Sequence, residues 1–339
     1  MKFLVTGATS GLGRNAAEWL LAAGYQVRAT GRDPAAGVEL AAMGAEFVRL
    51  DLALAKTAKC AALLDDIDAV WHCAAKSSPW GDHADFYAAN VAASEKLAAA
   101  AGQKGIGRFV HISTPSIYFD FTDHHDVDES YRARRFVNHY AATKYEAEQR
   151  IAELVKRHPG TTYVILRPRA LFGPHDRVIL PRLLQQIERD RGVLRLPGGG
   201  RAGLDLTFVG NVVHAMHLAS TRSLASGAIY NISNHAPGRL ADNLERLLKQ
   251  ELGLDYRLQA VPYKLLHMVA GAMEASAHLS GKEPLLTRYS VGAVNFDMTL
   301  CNARAIAELG YIPPVSMDEG IRRTAAWLKE EGKLPKWPS

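Results

Sequence analysis

The chain has 339 residues, 48% of them apolar and 22% charged, which excludes a disordered or fibrous protein. Its net charge is +5, from 40 Lys and Arg against 35 Asp and Glu, with no basic block interleaved with aromatics, so nucleic acid is not an expected partner. No run of about 18 apolar residues marks a membrane span, and Cys60, Cys73 and Cys301 show no C-x-x-C spacing, which speaks against a disulfide framework or a cysteine zinc site and for a cytoplasmic setting.

Residues 2–6 are a short apolar run that stops at Gly7, a first strand rather than a signal peptide. Helical spacing follows over 14–23 and ends at Gly24. Strand-like runs at 26–30 and 46–50 bracket a helical stretch at 34–43. Further runs lie at 69–73 and 108–112, with an Ala-rich helix over 84–101 between them. A helix over 140–157 leads to runs at 162–166 and 228–232. This alternation predicts an α/β protein with a doubly wound parallel sheet covered on both faces. After Leu166-Arg167-Pro168 the rhythm breaks into helices and Pro/Gly loops. The expected division is a dinucleotide-binding domain at 1–173, rejoined by 205–234, and a smaller, mostly helical substrate lobe from 174–204 and 235–339.

The first turn reads Val5-Thr6-Gly7-Ala8-Thr9-Ser10-Gly11-Leu12-Gly13. Between a strand and a helix, such a loop suits a pyrophosphate: Gly7 allows the tight turn, and Gly11 and Gly13 let backbone N–H groups approach the anion at a helix N-terminus. Thr9, Ser10 and Leu12 complete the expected contacts. At the end of the second strand an NAD site places a carboxylate for the ribose 2′-hydroxyl. Here that place falls near Gly31 and Arg32, and Asp33 before Pro34 reads as a helix cap. Arg32 suits a 2′-phosphate, so NADP is the expected cofactor, with NAD the alternative.

Tyr140 and Lys144 stand at i and i+4 on one predicted helix face. A nearby cation lowers the pKa of a phenol and fits it for proton transfer at neutral pH. Thr114, at the end of a predicted strand, can hold the substrate oxygen that Tyr140 protonates.

With these features the chain resembles the extended short-chain dehydrogenase/reductase family, whose dinucleotide domain is a Rossmann-type fold. The matching stretches are the Gly7/Gly11/Gly13 loop, Asp51-Leu52, His72-Cys73-Ala74-Ala75, Asn90-Val91, Ile112 to Tyr118, and Tyr140 with Lys144. The resemblance implies that Tyr140 is the proton donor or acceptor. It implies that Lys144 also binds the nicotinamide ribose and that Thr114 takes the third catalytic place. It further implies that Asp51, Leu52, Ala74 and Ala75 line the cofactor. One departure is visible: Ser10 stands where the extended branch carries its middle glycine, which leaves the loop spacing of the single-domain branch. Relatives of this kind commonly form homodimers through helices matching 84–101 and 140–157.

The segment from Asp205 to Ala219, with Glu283 to Tyr289 and Glu308 to Pro313, resembles the 3β-hydroxysteroid dehydrogenase branch and bacterial 3-ketoacid reductases. Nucleotide-sugar epimerases generally carry a phosphate-binding Arg before that aspartate. Leu204 stands there instead, although Arg201 is near. Trp80, Tyr118 and Phe172 are the candidate substrate contacts. The helix expected over 263–280 carries apolar residues that could line a greasy pocket or make a weak membrane-surface contact, though core packing is the plainer reading of each. His124, His125, Asp126 and Asp128 read as a polar loop without metal-site spacing, so no metal is expected. Arg132, Arg134 and Arg135 could guide an anionic substrate such as a carboxylate or a coenzyme A ester, though a solvated loop face is the plainer reading.

The expected function is an NAD(P)-dependent oxidoreductase that interconverts a secondary alcohol and a ketone on a hydrophobic small molecule, 3β-hydroxysteroid-like or 3-keto acyl. Two alternatives stay open, a nucleotide-sugar epimerase or dehydratase and an NADP-binding redox sensor.

Overall fold

The computed structural model describes residues 1–334. Residues 335–339 of the expected lobe lie outside the described residues. Seven parallel strands form the central sheet in the order Ala228–Ile232, Thr162–Pro168, Arg108–Ile112, Ala69–His72, Lys2–Thr6, Gln26–Gly31, Glu46–Arg49. Phe3, Leu4 and Val5 have no exposed surface, as a strand covered on both faces requires. The chain runs outward in one direction from Lys2–Thr6 and then returns to build the other side. That reversal places a crevice at the carboxyl ends of Lys2–Thr6 and Ala69–His72, where such sheets bind ligands.

The helices that frame the crevice start where the sequence dictates. Asp33 accepts the N–H groups of Ala35 and Ala36 and caps Pro34–Ala42, with Pro34 at its first position. Asn138 Oδ1 accepts the Ala141 N–H at 2.9 Å, which fixes the start of the helix His139–Arg157. The Ala-rich helix is continuous over 83–103 and contains one widened π-type turn at Tyr87–Ala92. The strand Ala228–Ile232 pairs with Thr162–Pro168 at the sheet edge, so the chain does return to the sheet after its first excursion.

The lobe holds two small sheets besides its helices. Val193–Pro197 pairs with Arg257–Val261, and Gly238–Arg239, Gly203–Leu204, Met298–Leu300 and His124–Val127 form a four-stranded sheet. The expected polar loop at His124–Val127 is therefore a strand. Its backbone pairs with Met298–Leu300, and Val127 is buried against that strand's core residues.

The lobe is not a separate body. One hydrophobic core runs from Phe3 and Trp71 through Leu184, Leu196 and Leu244 to Ile321 and Leu328. The helix Met317–Glu330 brings Gly320 so close to Phe208 that a Cβ there would stand 3.0 Å from the Phe208 ring. The helix Tyr263–Ser280 buries only Ala270, Glu274 and Ala277, and leaves Met268 and Leu279 65% and 92% exposed. No helix among the described residues is long and apolar enough to cross a membrane.

Candidate active site

Four hydroxyls meet at the end of the strand Arg108–Ile112. Thr114 caps the short turn Pro115–Tyr118 by accepting the Ser116 N–H at 3.1 Å, and its hydroxyl donates to Ser116 Oγ at 2.9 Å. Ser116 Oγ lies 2.7 Å from the Tyr289 hydroxyl, which the lobe contributes. Tyr140, in the first turn of its helix, completes the group by hydrogen bonding with Thr114. Burial pushes the Tyr140 phenol up to about 12, the Thr114 hydrogen bond pulls it down, and the Tyr289 phenol adds to the rise.

Lys144 lies one turn behind Tyr140 and is only 1% exposed. Its ammonium donates to the Ile112 carbonyl and sits 3.1 Å from His111 Nε2, so neighbours on the strand hold it. Burial lowers it to about 8, with Glu148 and Cys73 opposing. Behind it runs a buried polar chain. His72 Nδ1 lies 2.8 Å from Thr6 Oγ1, and His72 Nε2 lies 2.9 Å from Ser94 Oγ. Ser94 donates to the Asn90 carbonyl, and Asn90 Nδ2 donates to Thr143 Oγ1 at 3.1 Å. The Asn90 amide also grips both backbone polar groups of Lys76, which fixes the loop after Ala74 and Ala75.

The glycine loop brings the first strand and the first helix into close contact. Gly7 has φ 65°, and a Cβ there would stand 2.9 Å from the Ala74 backbone. A Cβ on Gly13 would stand 2.3 Å from the Gly7 carbonyl oxygen, so helix and strand touch here. Ser10 is the N-cap of Gly11–Ala22, yet its side chain caps nothing. The Gly11 N–H, expected to face a pyrophosphate, donates instead to the His175 carbonyl at 3.1 Å because the loop after Gly173 folds over it. The amides of Leu12 and Gly13 remain to meet an anion at this helix end, while Thr9 covers Gly31.

Along the crevice, Ala74 donates its N–H to Thr6 Oγ1 at 3.2 Å, Ala75 is exposed, and Asp51 Oδ1 accepts the Ala53 N–H. Leu52 is buried beside it. At the end of Gln26–Gly31, Asp33 is occupied by its helix cap and by Arg177, whose guanidinium also donates to the Thr9 carbonyl. The Arg32 side chain is 79% exposed and lies 3.8 Å from Asp51, and Arg49 Nε donates to the Arg32 carbonyl.

Two expected substrate contacts are corrected. Tyr118 has no exposed surface: its hydroxyl donates to Asn231 Oδ1 at 2.8 Å and accepts from Arg167 at 2.7 Å. Phe172 is buried in the shared core beside Phe208, because its two-residue strand pairs with Thr207–Phe208. Trp80 remains at the rim, its ring 4.6 Å from that of His278. Nearby, Glu283 accepts from Ser78 at 3.1 Å and from Arg182 at 2.9 Å, which ties three segments together over this edge. Next to Tyr289, Phe119 packs at 5.7 Å within a core of its own, and the half-buried Phe121 lies 5.0 Å from Phe119. No group of His, Cys, Asp or Glu among the described residues is arranged to hold a metal ion.

Sequence reasoning missed the roles of His111, Ser116 and Tyr289. Ser116 and Tyr289 lay inside stretches that carried the family resemblance, and His111 is a polar residue between Val110 and Ile112 of a central strand, a signal for a buried partner.

The profile of the NAD dependent epimerase/dehydratase family matches residues 3–233. The chain is 47% identical to the protein YbjS of Escherichia coli, over 99% of this chain and all of that one. It is 34% identical to a 2-alkyl-3-oxoalkanoate reductase of Stenotrophomonas maltophilia, over 96% of this chain and 99% of the other. It is 31% identical to a 3β-hydroxysteroid dehydrogenase/decarboxylase of Arabidopsis thaliana, over 76% of this chain and 61% of that one. A UDP-glucuronic acid 4-epimerase of Bacillus cereus, solved with NAD, shares the fold at a TM-score of 0.74 and 23% identity, over 97% of both chains.

Proposed function

Because the chain belongs to the NAD-dependent epimerase/dehydratase family, within its extended short-chain dehydrogenase/reductase enzymes, we propose that it reduces the ketone of a hydrophobic, 3-oxo acyl or 3-oxosteroid-like substrate to a secondary alcohol. The cluster of Thr114, Ser116, Tyr140 and Tyr289 hydroxyls carries this reading. The nicotinamide cofactor supplies the hydride. Thr114 polarises the substrate oxygen, and Tyr140 gives it a proton. Burial, which pushes the phenol up to about 12, keeps that proton on Tyr140 at neutral pH until the substrate oxygen takes it. Lys144 acts from behind, where Ile112 and His111 fix its position.

NADP is the proposed cofactor. Arg32 stands at the end of the second strand with its side chain in solvent, and Asp33 is already occupied as a cap and ion pair. A guanidinium there pairs with a 2′-phosphate. The epimerase reading is weaker, because Leu204 is buried in a strand paired with Met298 and offers no cation for a nucleotide diphosphate. The apolar substrate reading draws on the half-buried Phe121 beside the hydroxyl cluster and on the relatives' named substrates.

The test is absorbance at the reduced-nicotinamide band with NADPH or NADH and a panel of 3-oxo acyl compounds, 3-oxosteroids, aromatic ketones and nucleotide sugars. Ketone-dependent loss of the band, abolished in Tyr140→Phe, supports the reading. Conversion of a nucleotide sugar without net absorbance change overturns it in favour of epimerisation.

A further inference from the structure

The helix Tyr263–Ser280 is packed on one side only. Its inner side buries Ala270, Glu274 and Ala277. Its flanks meet residues of the crevice: the His267 ring lies 5.8 Å from that of Phe121, and the His278 ring lies 4.6 Å from that of Trp80. At 3.6 residues per turn, the side opposite the buried three carries Leu265, Met268, Val269, Ala272, Ala275 and Leu279. All six are exposed. Ser276, between them, is the stripe's one polar residue. The stripe runs for about 21 Å, and the loop after the helix adds the exposed Leu285. Single apolar residues scattered on a surface need no explanation, but a continuous stripe marks a contact surface.

The charges around the stripe say what it meets. The helix and the following loop, as far as Arg288, hold two acids, and both are taken. Glu274 pairs with Arg288 at 2.6 Å and Glu283 with Arg182 at 2.9 Å. Lys264 and Lys282 stand at the two ends of the stripe, exposed and without an ion pair among the described residues. The uncompensated charge is therefore positive at both ends. A second copy of the chain matches this poorly. A two-fold contact through this helix sets lysines of the two copies against each other, whether the helices align parallel or antiparallel. An anionic lipid surface suits both features, because it takes apolar side chains into its acyl boundary and draws lysines to its headgroups. With its inner side packed on the protein, the helix lies along such a surface and does not cross it.

We propose that the outer face of Tyr263–Ser280 docks the protein on anionic membrane lipid, with Leu265, Met268 and Leu279 in the acyl boundary and Lys264 and Lys282 on the headgroups. In that pose Trp80 and the crevice rim lie beside the lipid. An apolar molecule dissolved in the bilayer then reaches the crevice with little exposure to water. The docking stands on this surface alone and does not depend on which compound the crevice takes.

The test is flotation of the full chain with equimolar phosphatidylglycerol/phosphatidylcholine vesicles and with pure phosphatidylcholine vesicles at low salt. Met268→Gln/Leu279→Gln removes two exposed apolar groups and keeps good helix formers, and Lys264→Gln/Lys282→Gln removes both charges. Circular dichroism confirms that each variant is folded. Wild type is expected to float with the phosphatidylglycerol vesicles. The apolar variant should bind them roughly tenfold more weakly, and the lysine variant should lose most of the preference for them over phosphatidylcholine. An environment-sensitive dye on Met268→Cys should shift to the blue when the vesicles are added. Failure of wild type to float, equal binding to both vesicle types, or a folded apolar variant that floats like wild type overturns the proposal. Flotation without a dye shift places the contact elsewhere and also overturns it. A wild type that stays off the vesicles but is a dimer by light scattering, split by the apolar variant, overturns it in favour of self-association.

Discussion

The Lys144 ammonium sits 3.1 Å from His111 Nε2 in a pocket where neither side chain has meaningful exposure. Facing an ammonium, Nε2 accepts, so the ring proton is on Nδ1, an atom with no partner among the described residues. Burial first, then Lys144 and His72, holds His111 far below its usual pKa, so the ring stays neutral. His72 stacks behind it with ring centroids 5.4 Å apart, and burial pushes that imidazole down to about 3. The pair lets a buried cation keep one orientation without a neighbouring anion in contact.

That burial has a pH signature in the free protein. The Lys144 pKa falls from 10.5 in a model compound to about 8 in the fold. Between these values the unfolded chain binds more protons than the folded one, so stability rises with pH. The destabilisation is fully present below about pH 8 and gone above about pH 10.5. Denaturant titrations should show wild type gaining about 3 kcal/mol over Lys144→Met across that window. Parallel stability curves for the two proteins would refute the assignment.

Tyr140→Phe removes the proton donor and leaves its ring in place. The expected loss in kcat is about 10²–10⁴-fold, with cofactor affinity kept. Thr114→Val should lower kcat as well, because the substrate oxygen loses its partner. Single-turnover rates with tightly bound cofactor separate this from a binding defect.

The Arg167–Glu148 pair fastens the Tyr140 helix to the central sheet. Burial alone would lower the Arg167 pKa, and Glu148 more than reverses this. Glu148→Leu leaves a buried guanidinium unpaired and should cost about 3–5 kcal/mol in chemical denaturation. The double variant Glu148→Leu/Arg167→Met should recover most of that loss, since both charges are then gone. A single variant as stable as wild type would show that the pair does not hold the helix.

Cofactor choice is expected to follow Arg32. Arg32→Ser should reduce the ratio of kcat/KM for NADPH over NADH by about tenfold or more, mostly through KM for NADPH. An unchanged ratio would move the 2′-phosphate contact to Arg49 or Arg177, which flank the same strand end.

Most of the seven central strands were legible because each holds a short apolar run, and inner strands such as Lys2–Thr6 and Ala69–His72 are buried on both faces. Tyr140, Lys144 and Thr114 were legible as spacing. The lobe was not. His124–Val127 is polar along most of its length and becomes a strand only because Met298–Leu300 arrives from far along the chain to pair with it. Tyr118 looked like a pocket aromatic, and only the fold shows Arg167 and Asn231 enclosing its hydroxyl. The helix Met317–Glu330 did carry a local signal, Ser316 followed three residues later by Glu319, and Ser316 does cap it.

The tie made by Glu283 sets how this molecule can breathe. Behind it, sheet and lobe are continuous interior, so the two halves have no seam along which to swing apart. At the rim, Glu283 holds Ser78 and Arg182 through contacts open to water, each worth no more than about 1 kcal/mol and weakened by salt. The parts of the rim that can move independently of this interior are therefore the loops that carry Ser78, Arg182 and Glu283.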